Sequence, residues 1–307
     1  MRFMITYAQI QDDAVRLKTL TTLTPTEFEW LVPIFRRAYL TVYPAHLTQT
    51  GQPRCRRAGG GRKGALPTWE DKLLFGLHYH KNYPTQGVLA VEYGLSQSQV
   101  CDWIHRLLPL IQLTLRRAKQ APNRSGRLSR TGATNRPPEL LVDGTDRRRR
   151  RPKNKAKQLA HYTGKKKTHT DRNVLLGNRH TRRIESLSPT TPGATPEKRI
   201  IETQPIRYPL GTILYKDLAY LAYEPPRTHG VMPKRTPRGK WLGTADRLGN
   251  RLKAQVRVTV EHCMAGLKRA RCVTEVFRNL KPGFSDMVME IACGLHNLRT
   301  MFRSQVQ

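Results

Sequence analysis

Two apolar runs in this sequence each end in an aspartate. The run at 140–142 leads into Asp143, and the run at 213–216 leads into Asp217. Short apolar runs are typical of buried strands, and Gly144 directly after the first aspartate predicts a turn that places Asp143 at the end of its strand. Asp is also a common turn former, so either aspartate alone has an ordinary structural explanation. As a pair, they are candidate ligands for a metal ion.

A third group of charged residues recurs at helical spacing further along the chain. Arg257, Glu261 and Lys268 project to one side of a helix that we expect over about 244–271. The neighbouring stripe, which we expect to pack on a sheet, is formed by Val260, Met264 and Leu267. The alternative for Arg257 and Glu261 is an ordinary surface pair, which contributes only a few tenths of a kcal/mol.

The charge balance indicates a polyanionic partner. The 307 residues contain 55 Lys plus Arg against 22 Asp plus Glu, a formal net charge of +33, and a basic run at 147–151 follows the first aspartate. Basic residues that neutralise phosphates release counterions and supply affinity for nucleic acid, which is therefore the favoured partner. No apolar run approaches the roughly 18–20 residues of a membrane span, and the first residues do not resemble a signal peptide. We therefore expect a cytoplasmic protein with no membrane partner.

The segment 85–108 has the pattern of a helix-turn-helix. Ala90, Gly94 and Val100 supply a small residue where two helices approach, the glycine of the turn, and an apolar anchor on the second helix. Ser96 and Gln99 predict a capping box at the start of that helix. The residues that we expect to reach DNA from it are Gln97, Gln99 and Arg106. Helical hairpins without a DNA role share this pattern, which leaves that alternative open.

Composition divides the chain into three parts. Residues 1–117 are predicted to form an all-α DNA-binding region, in which Thr24 and Glu27 cap a helix that Pro33 should kink or shorten. Residues 118–138 are basic and rich in turn formers, which predicts a linker, and a basic exposed loop is expected at 51–65. Residues 139–307 begin with strands and end with helices, which predicts a second domain.

Several motifs of the second half resemble those of the DDE transposases of bacterial insertion sequences. More narrowly, they are similar to the branch related to insertion sequence 5 and to the eukaryotic Harbinger transposases. The motifs are Val142-Asp143-Gly144-Thr145, Tyr162-x-Gly164-Lys165-Lys166-x-x-His169, Asp217-x-x-Tyr220, Arg257-x-x-x-Glu261 followed by Lys268, Arg151-Pro152, and Gly294-Leu295-His296-Asn297-Leu298. The resemblance covers about residues 139–302, and the N-terminal helix-turn-helix region is similar to the one in the same proteins.

The resemblance implies a ribonuclease H-like fold, a mixed-sheet catalytic domain of the α+β or α/β class. It also implies that Asp143, Asp217 and Glu261 are the catalytic, metal-binding carboxylates. Two divalent ions, Mg²⁺ or Mn²⁺, held roughly 3.5–4 Å apart suit an in-line displacement at phosphorus. The residues that we expect to hold DNA around this site are Arg257, Lys268, Lys165, Lys166, Arg147, Arg148 and Arg151.

The sequence departs from that family at two places. The family carries Gly-Ser-x-His-Asp before the second catalytic strand, where this chain has Gly193-Ala194-Thr195-Pro196-Glu197. The family often has small or glycine residues after the second aspartate, where this chain has Leu218-Ala219. Neither change replaces an expected metal ligand, but the first removes a carboxylate outside the triad and both leave open a decayed copy.

We therefore expect a transposase that binds the terminal inverted repeats of its element, cleaves DNA strands in a metal-dependent reaction and joins them to target DNA. Cutting two ends favours a homodimer or a larger assembly. One alternative is a ribonuclease H-like nuclease that does not join strands. The other is a DNA-binding protein whose catalytic domain has decayed.

Overall fold

The computed structural model describes residues 4–48, 51–55, 64–128, 137–236 and 241–305, which form two compact units. The first, here called the helical unit, combines Met1–Ala121 with Arg269–Cys272 and Met287–Phe302. The second, the sheet unit, combines Pro122–Lys268 with Val273–Asp286 and Arg303–Gln307. Each unit is thus built from segments that are distant in sequence.

The helical unit contains α1 (Ala14–Thr21), α2 (Pro25–Val42), α3 (Trp69–Asn82), α4 (Gln86–Tyr93), α5 (Gln97–Arg117) and most of α10 (Phe284–Gln305). Each of α1 to α5 follows a polar residue whose side chain accepts a hydrogen bond from a backbone amide of the first turn: Asp13, Thr24, Thr68, Thr85 and Ser96. Such caps satisfy amides that have no partner within the helix and so define where it begins. The capping box of Thr24 and Glu27 is confirmed, and α2 continues past Pro33 to Val42.

Helices α4 and α5 form the expected helix-turn-helix. Gly94 follows α4 with a φ of +62°, a left-handed conformation that favours glycine, and the capping box of Ser96 and Gln99 is confirmed. Val100 and Ile104 are buried, as predicted. Helix α5 extends through Pro109 to Arg117, beyond the expected end at residue 108, because further apolar residues on the same face remain buried.

The sheet unit is built on a mixed sheet. Its strands are β1 (Glu139–Arg148), β2 (Tyr162–Thr163), β3 (Thr168–Asn178), β4 (Ile184–Leu187), β5 (Thr191–Pro192), β6 (Thr212–Tyr215) and β7 (Thr228–Val231). The spatial order is β2-β3-β1-β6-β7, with β4 and β5 also paired to β3. Strand β3 is antiparallel to β1 and β4, whereas β1, β6 and β7 run parallel. This is the α+β arrangement of a ribonuclease H-like domain, preceded by the all-helical region that the sequence predicts.

The structure corrects two expectations about the strands. Strand β1 does not end at Asp143, because β3 pairs with it from Leu140 through Arg148 and supplies hydrogen bonds along that whole length. Gly144 is therefore a strand residue opposite Val174 and not the start of a turn. Strand β7 lies in a proline-rich basic segment at 224–239 for which the sequence predicts no strand; its edge pairing with β6 tolerates the neighbouring prolines.

One face of the sheet packs against the short helix α7 (Glu197–Glu202). The buried side chains of this cluster are Leu140, Val142, Val174, Leu176, Ile200, Ile201, Tyr208, Leu214, Tyr220 and Tyr223. Burying an aliphatic or aromatic side chain of this size contributes about 1.5–3 kcal/mol. Two isoleucines thus anchor α7 over β1 and β6, and they fix the position of Glu197 at the start of that helix.

Helix α8 (Thr244–Leu267) packs on the sheet through the predicted stripe, since Val260, Met264 and Leu267 are buried. Cys263, also buried, donates through its thiol to the carbonyl of Arg182 and lies 3.5 Å from the position that a Cβ of Gly177 would take. Two short helices, α6 (Lys155–His161) and α9 (Arg271–Thr274), complete the fold. None of the helices in the described part of the chain is long and apolar enough to cross a membrane.

Most of α10 belongs to the helical unit, which differs from the continuous second domain expected over residues 139–307. Gly294 packs against Leu115, and Asn297 donates to the carbonyl of Gln120. The Gly-Leu-His-Asn-Leu motif near the end of the chain therefore packs this helix. Residues 122–128 of the expected linker pair with the sheet unit, while its residues 129–136, and 56–63 of the expected basic loop, lie outside the described residues.

Candidate active site

The register of β1 and β6 brings the two aspartates to the same end of the parallel pair. The ladder joins Leu141 to Tyr215, and Asp143 and Asp217 each stand two residues further along the chain. Since side chains alternate between the faces of a strand, this equal offset places both carboxylates on the side that Leu141 and Tyr215 share. Carboxyl ends of parallel strands are common ligand sites. The predicted proximity of the two apolar runs is thus realised, although Asp143 lies within its strand.

Asp143 is half-buried, and its Oδ1 accepts a hydrogen bond of 2.8 Å from the amide of Gly144. Burial raises the pKa of its carboxyl to about 6. The negative charges of Glu197 and Asp217 add to that rise, while the Gly144 amide and the Arg257 guanidinium oppose it. Three carboxylates are therefore close enough to disfavour one another's ionised forms.

Asp217 is more exposed, with 40% of its side chain accessible. Its carboxylate accepts from the amide of Leu218 at 2.6 Å and caps the short 3-10 turn Leu218–Tyr220. Helix α8 directs Arg257 at the same carboxylate, with Nη2 3.1 Å from Oδ2. A partly exposed pair of this kind contributes at most about 1 kcal/mol, so other ligands can replace it at little cost.

Glu261 lies one helical turn beyond Arg257 and is exposed, as are His262 and Lys268. In the described part of the chain, no group of three or more His, Cys, Asp or Glu side chains lies close enough together to hold a metal ion. The three-acid site expected from Asp143, Asp217 and Glu261 is therefore not assembled in this structure.

Glu197 is a nearby acid to which the sequence assigns no role. Its carboxylate lies against the backbone of Gly144 and accepts a 3.0 Å hydrogen bond from the buried hydroxyl of Tyr220. The substitution of the Gly-Ser-x-His-Asp segment therefore does not remove a carboxylate from this region. The only local signal is an acidic residue after Pro196 at a helix start, which is common at structural helix ends. Tyr220 is fully buried, as the packing interpretation predicts.

The donor set fits a hard divalent cation at Asp143 and Asp217. Carboxylate oxygens are the ligands that Mg²⁺ prefers, and a bound cation would offset the repulsion that raises the pKa of Asp143. The neighbouring guanidinium of Arg257 already supplies part of that compensation. The chemistry of the two aspartates thus supports cation binding, while the place of Glu261 in the set stays a prediction.

The basic residues expected around the site fall into two groups. Arg148, Arg151, Lys165, Lys166 and Lys268 are exposed, and Arg257 is half-buried. Arg147 is 2% exposed and donates to the carbonyl of Ser285 and to side chains of Asn173 and Thr190. The phosphate contact expected for Arg147 does not agree with this burial, because its guanidinium is directed into the protein. Asp146 pairs with Arg172 on the neighbouring strand at 2.6 Å.

On α5, the candidate DNA-reading residues differ in their engagement. Gln97 is exposed. The side chain of Gln99 accepts from the amide of Ser96 at 2.9 Å, so its oxygen is used in the capping box. The guanidinium of Arg106 stacks on the rings of Tyr43 and Trp103, at 5.4 Å and 5.1 Å from their centroids. This stacking holds the Arg106 side chain in one direction while its edge can still donate hydrogen bonds.

Comparisons with known proteins agree with this combination of units. Residues 142–297 match the family described as DDE superfamily endonuclease, and residues 64–117 match the one described as helix-turn-helix of DDE superfamily endonuclease. The chain is 22% identical over 283 residues to a protein of Microchaete diplosiphon named "Probable transposase for insertion sequence element IS702", covering 92% of this chain and 98% of that protein. No solved structure matches the sequence. Since the first match spans half of the chain, this protein belongs to the DDE superfamily endonucleases, which use divalent metal ions.

Proposed function

We propose that this protein is the transposase of an insertion sequence. It binds the terminal inverted repeats of the element through the helical unit, cleaves DNA strands at the sheet unit and joins the exposed 3′ ends to target DNA. The observation that carries this proposal is the β1–β6 register, which sets Asp143 and Asp217 side by side in a chain that also has a helix-turn-helix. The name of the Microchaete diplosiphon relative supports the same function.

The catalytic residues we propose are Asp143, Asp217 and Glu261, which would hold two Mg²⁺ or Mn²⁺ ions. Such ions activate the attacking oxygen and stabilise the leaving one during displacement at phosphorus. Asp143 and Asp217 already share one end of the parallel strands, and Glu261 follows Arg257 by one turn on the adjacent helix. Phosphates of the bound strand are neutralised by Arg257, Lys268, Lys165 and Lys166, with Arg148 and Arg151 further along the duplex.

Recognition of the ends is assigned to the exposed face of α5, where Gln97 and Arg106 can reach base edges. We propose a homodimer or larger assembly, because two ends must be cut in one event. Its DNA substrates place the reaction in the cytoplasm of a bacterial cell. A nuclease without strand transfer is the second candidate, since the same two aspartates serve hydrolysis alone.

The variant Asp143→Asn tests the site. It keeps the size of the side chain but lowers its affinity for a cation, so we expect cleavage to fall at least about 100-fold, the loss of roughly 3 kcal/mol of transition-state stabilisation. Labelled duplexes taken from the DNA on either side of the gene serve as substrates, with Mg²⁺ or Mn²⁺ and a supercoiled target plasmid. Binding to the same duplexes, measured by fluorescence anisotropy, should stay within about twofold of the unaltered protein.

Asp246→Asn is the matched control, because Asp246 lies in the first turn of α8 and pairs with Lys234 away from the two aspartates. Normal metal-dependent cleavage by the Asp143→Asn variant would refute the assignment of the site. A cleaved product without any joined product would favour the nuclease over the transposase.

A further inference from the structure

Gly144 makes room for the carboxylate of Glu197 beside the strand that carries Asp143. A Cβ placed on residue 144 would lie 2.5 Å from each carboxylate oxygen of Glu197, so no larger residue fits there without displacing that side chain. Glycine in a strand interior weakens the strand and often marks a close approach of another group. Here the approaching group is an acid.

The same carboxylate is held from a second direction. Tyr220 donates its hydroxyl hydrogen to Oε2 of Glu197 at 3.0 Å, and its ring is fully buried in the core under α7. Tyr220 ends the 3-10 turn that Asp217 caps. Glu197 is thus fixed between the segment that carries Asp143 and the segment that carries Asp217.

The ladder between β1 and β6 explains how a residue of α7 reaches this place. The ladder covers Glu139–Leu141 of β1, so residues 142–148 extend beyond the part of the strand that β6 joins. Helix α7 lies over the face that carries Val142 and Gly144, and Asp143 points to the opposite face. The two carboxylates approach the β6 side of the strand from its two faces.

This arrangement costs free energy unless a cation offsets it. The charge of Glu197 raises the pKa of Asp143, and like charges brought together in a half-buried place disfavour the ionised forms. A neutral glutamine would accept the Tyr220 hydrogen bond equally well without that repulsion. The charge, rather than the hydrogen bond, is the property of Glu197 that needs a ligand.

We propose that Glu197 is a further acidic residue of the divalent-cation site and acts beside Asp143 in binding the cation; this rests on the function proposed above. Removing its charge should weaken Mn²⁺ binding by about tenfold, within the range of roughly 10–100-fold seen when supporting groups of a metal site are removed. Strand cleavage should fall in parallel at limiting Mn²⁺ and recover in part at high Mn²⁺.

The test compares Glu197→Gln with Glu202→Gln in the full-length protein. Both residues lie on α7, but Glu202 is exposed and pairs only at 3.6 Å with Lys198 one turn away. Binding of Mn²⁺ is measured by calorimetry and by the loss of the free-ion electron paramagnetic resonance signal, without DNA. Cleavage of the flanking-DNA duplexes is then measured across a Mn²⁺ series, and circular dichroism checks the fold of each variant.

A second variant, Tyr220→Phe, keeps the buried ring and removes only the hydroxyl that holds Glu197. We expect a weakening of Mn²⁺ binding of about two- to fivefold for this variant and no change for Glu202→Gln. If Glu197→Gln does not fold, Tyr220→Phe decides: unchanged Mn²⁺ affinity in that variant overturns the proposal.

Asp143→Asn separates this inference from the proposed function. If Asp143→Asn loses Mn²⁺ binding and cleavage while Glu197→Gln behaves like Glu202→Gln, the role of Glu197 is wrong and the proposed function stands. If Asp143→Asn keeps both Mn²⁺ binding and cleavage, the proposed active site itself is wrong. If both variants lose Mn²⁺ affinity and Glu202→Gln does not, both proposals are supported.

Discussion

Acid should destabilise the helical unit through His80, a buried histidine on α3. Its side chain is 1% exposed, and Nε2 must carry the hydrogen because it donates to the carbonyl oxygen of Val288 at 3.0 Å. Nδ1 is buried and has no partner in the described structure. Burial lowers the pKa of His80 to about 4, with the nearby positive charge of Arg299 acting in the same direction and the Val288 hydrogen bond opposing it.

The sign and size follow from the difference between folded and unfolded states. The unfolded chain binds a proton at His80 with a pKa of about 6.5, so below that pH the unfolded state is favoured by protonation while the folded state is not. Stability is therefore complete above pH 6.5 and falls as the pH drops towards 4. With about 1.4 kcal/mol for each pKa unit, the loss is about 2 kcal/mol at pH 5 and about 3 kcal/mol at pH 4.

The measurement is urea unfolding at pH 7 and pH 5, followed by circular dichroism at constant ionic strength. The variant His80→Gln keeps an amide donor for Val288 but does not titrate, so its stability should change between these pH values by about 2 kcal/mol less than that of the unaltered protein. His262→Gln is the control, since His262 is exposed on α8 and should not alter the pH dependence. Equal pH slopes for the unaltered protein and His80→Gln would refute the reasoning.

Two predictions separate structural from DNA-binding arginines. Arg147→Met removes three hydrogen bonds of a buried guanidinium and should lower the free energy of unfolding by about 3–5 kcal/mol, whereas Arg148→Met should change it by less than about 0.5 kcal/mol and weaken DNA binding; equal unfolding midpoints in urea would contradict this difference. Arg106→Ala should weaken binding to the element ends by about 1–3 kcal/mol more than binding to a random duplex of equal length, measured by anisotropy at fixed salt, and equal losses on both duplexes would remove α5 as the reader of sequence.

Features that depend on neighbouring residues were predictable from the sequence. Thr24 with Glu27 and Ser96 with Gln99 mark helix starts because the cap and its partner are three residues apart. Gly94 marks the end of α4 because its left-handed backbone is a local requirement. The apolar stripe of α8 is likewise readable from its spacing, since one helix face repeats within a few residues.

Features set by distant strands were not predictable in the same way. Gly144 has the local character of a turn residue, but thirty residues later β3 continues to pair with β1 and keeps it extended. Arg147 belongs to a basic run, and only the fold shows that Asn173, Thr190 and Ser285 surround it. Glu197 is separated by more than fifty residues from Gly144, so no spacing rule connects them.

The proposed site must bind two ligands of opposite charge, and Arg257 can couple them. The chain carries a net charge of +33, which attracts DNA but opposes the approach of a divalent cation. Arg257 pairs with Asp217 through one contact of 3.1 Å that is partly exposed and therefore weak. When a phosphate takes Arg257 and a cation takes Asp217, one weak pair is exchanged for two stronger ones. Phosphate binding then lowers the positive charge next to Asp217 and favours the cation, and by reciprocity the bound cation favours the phosphate.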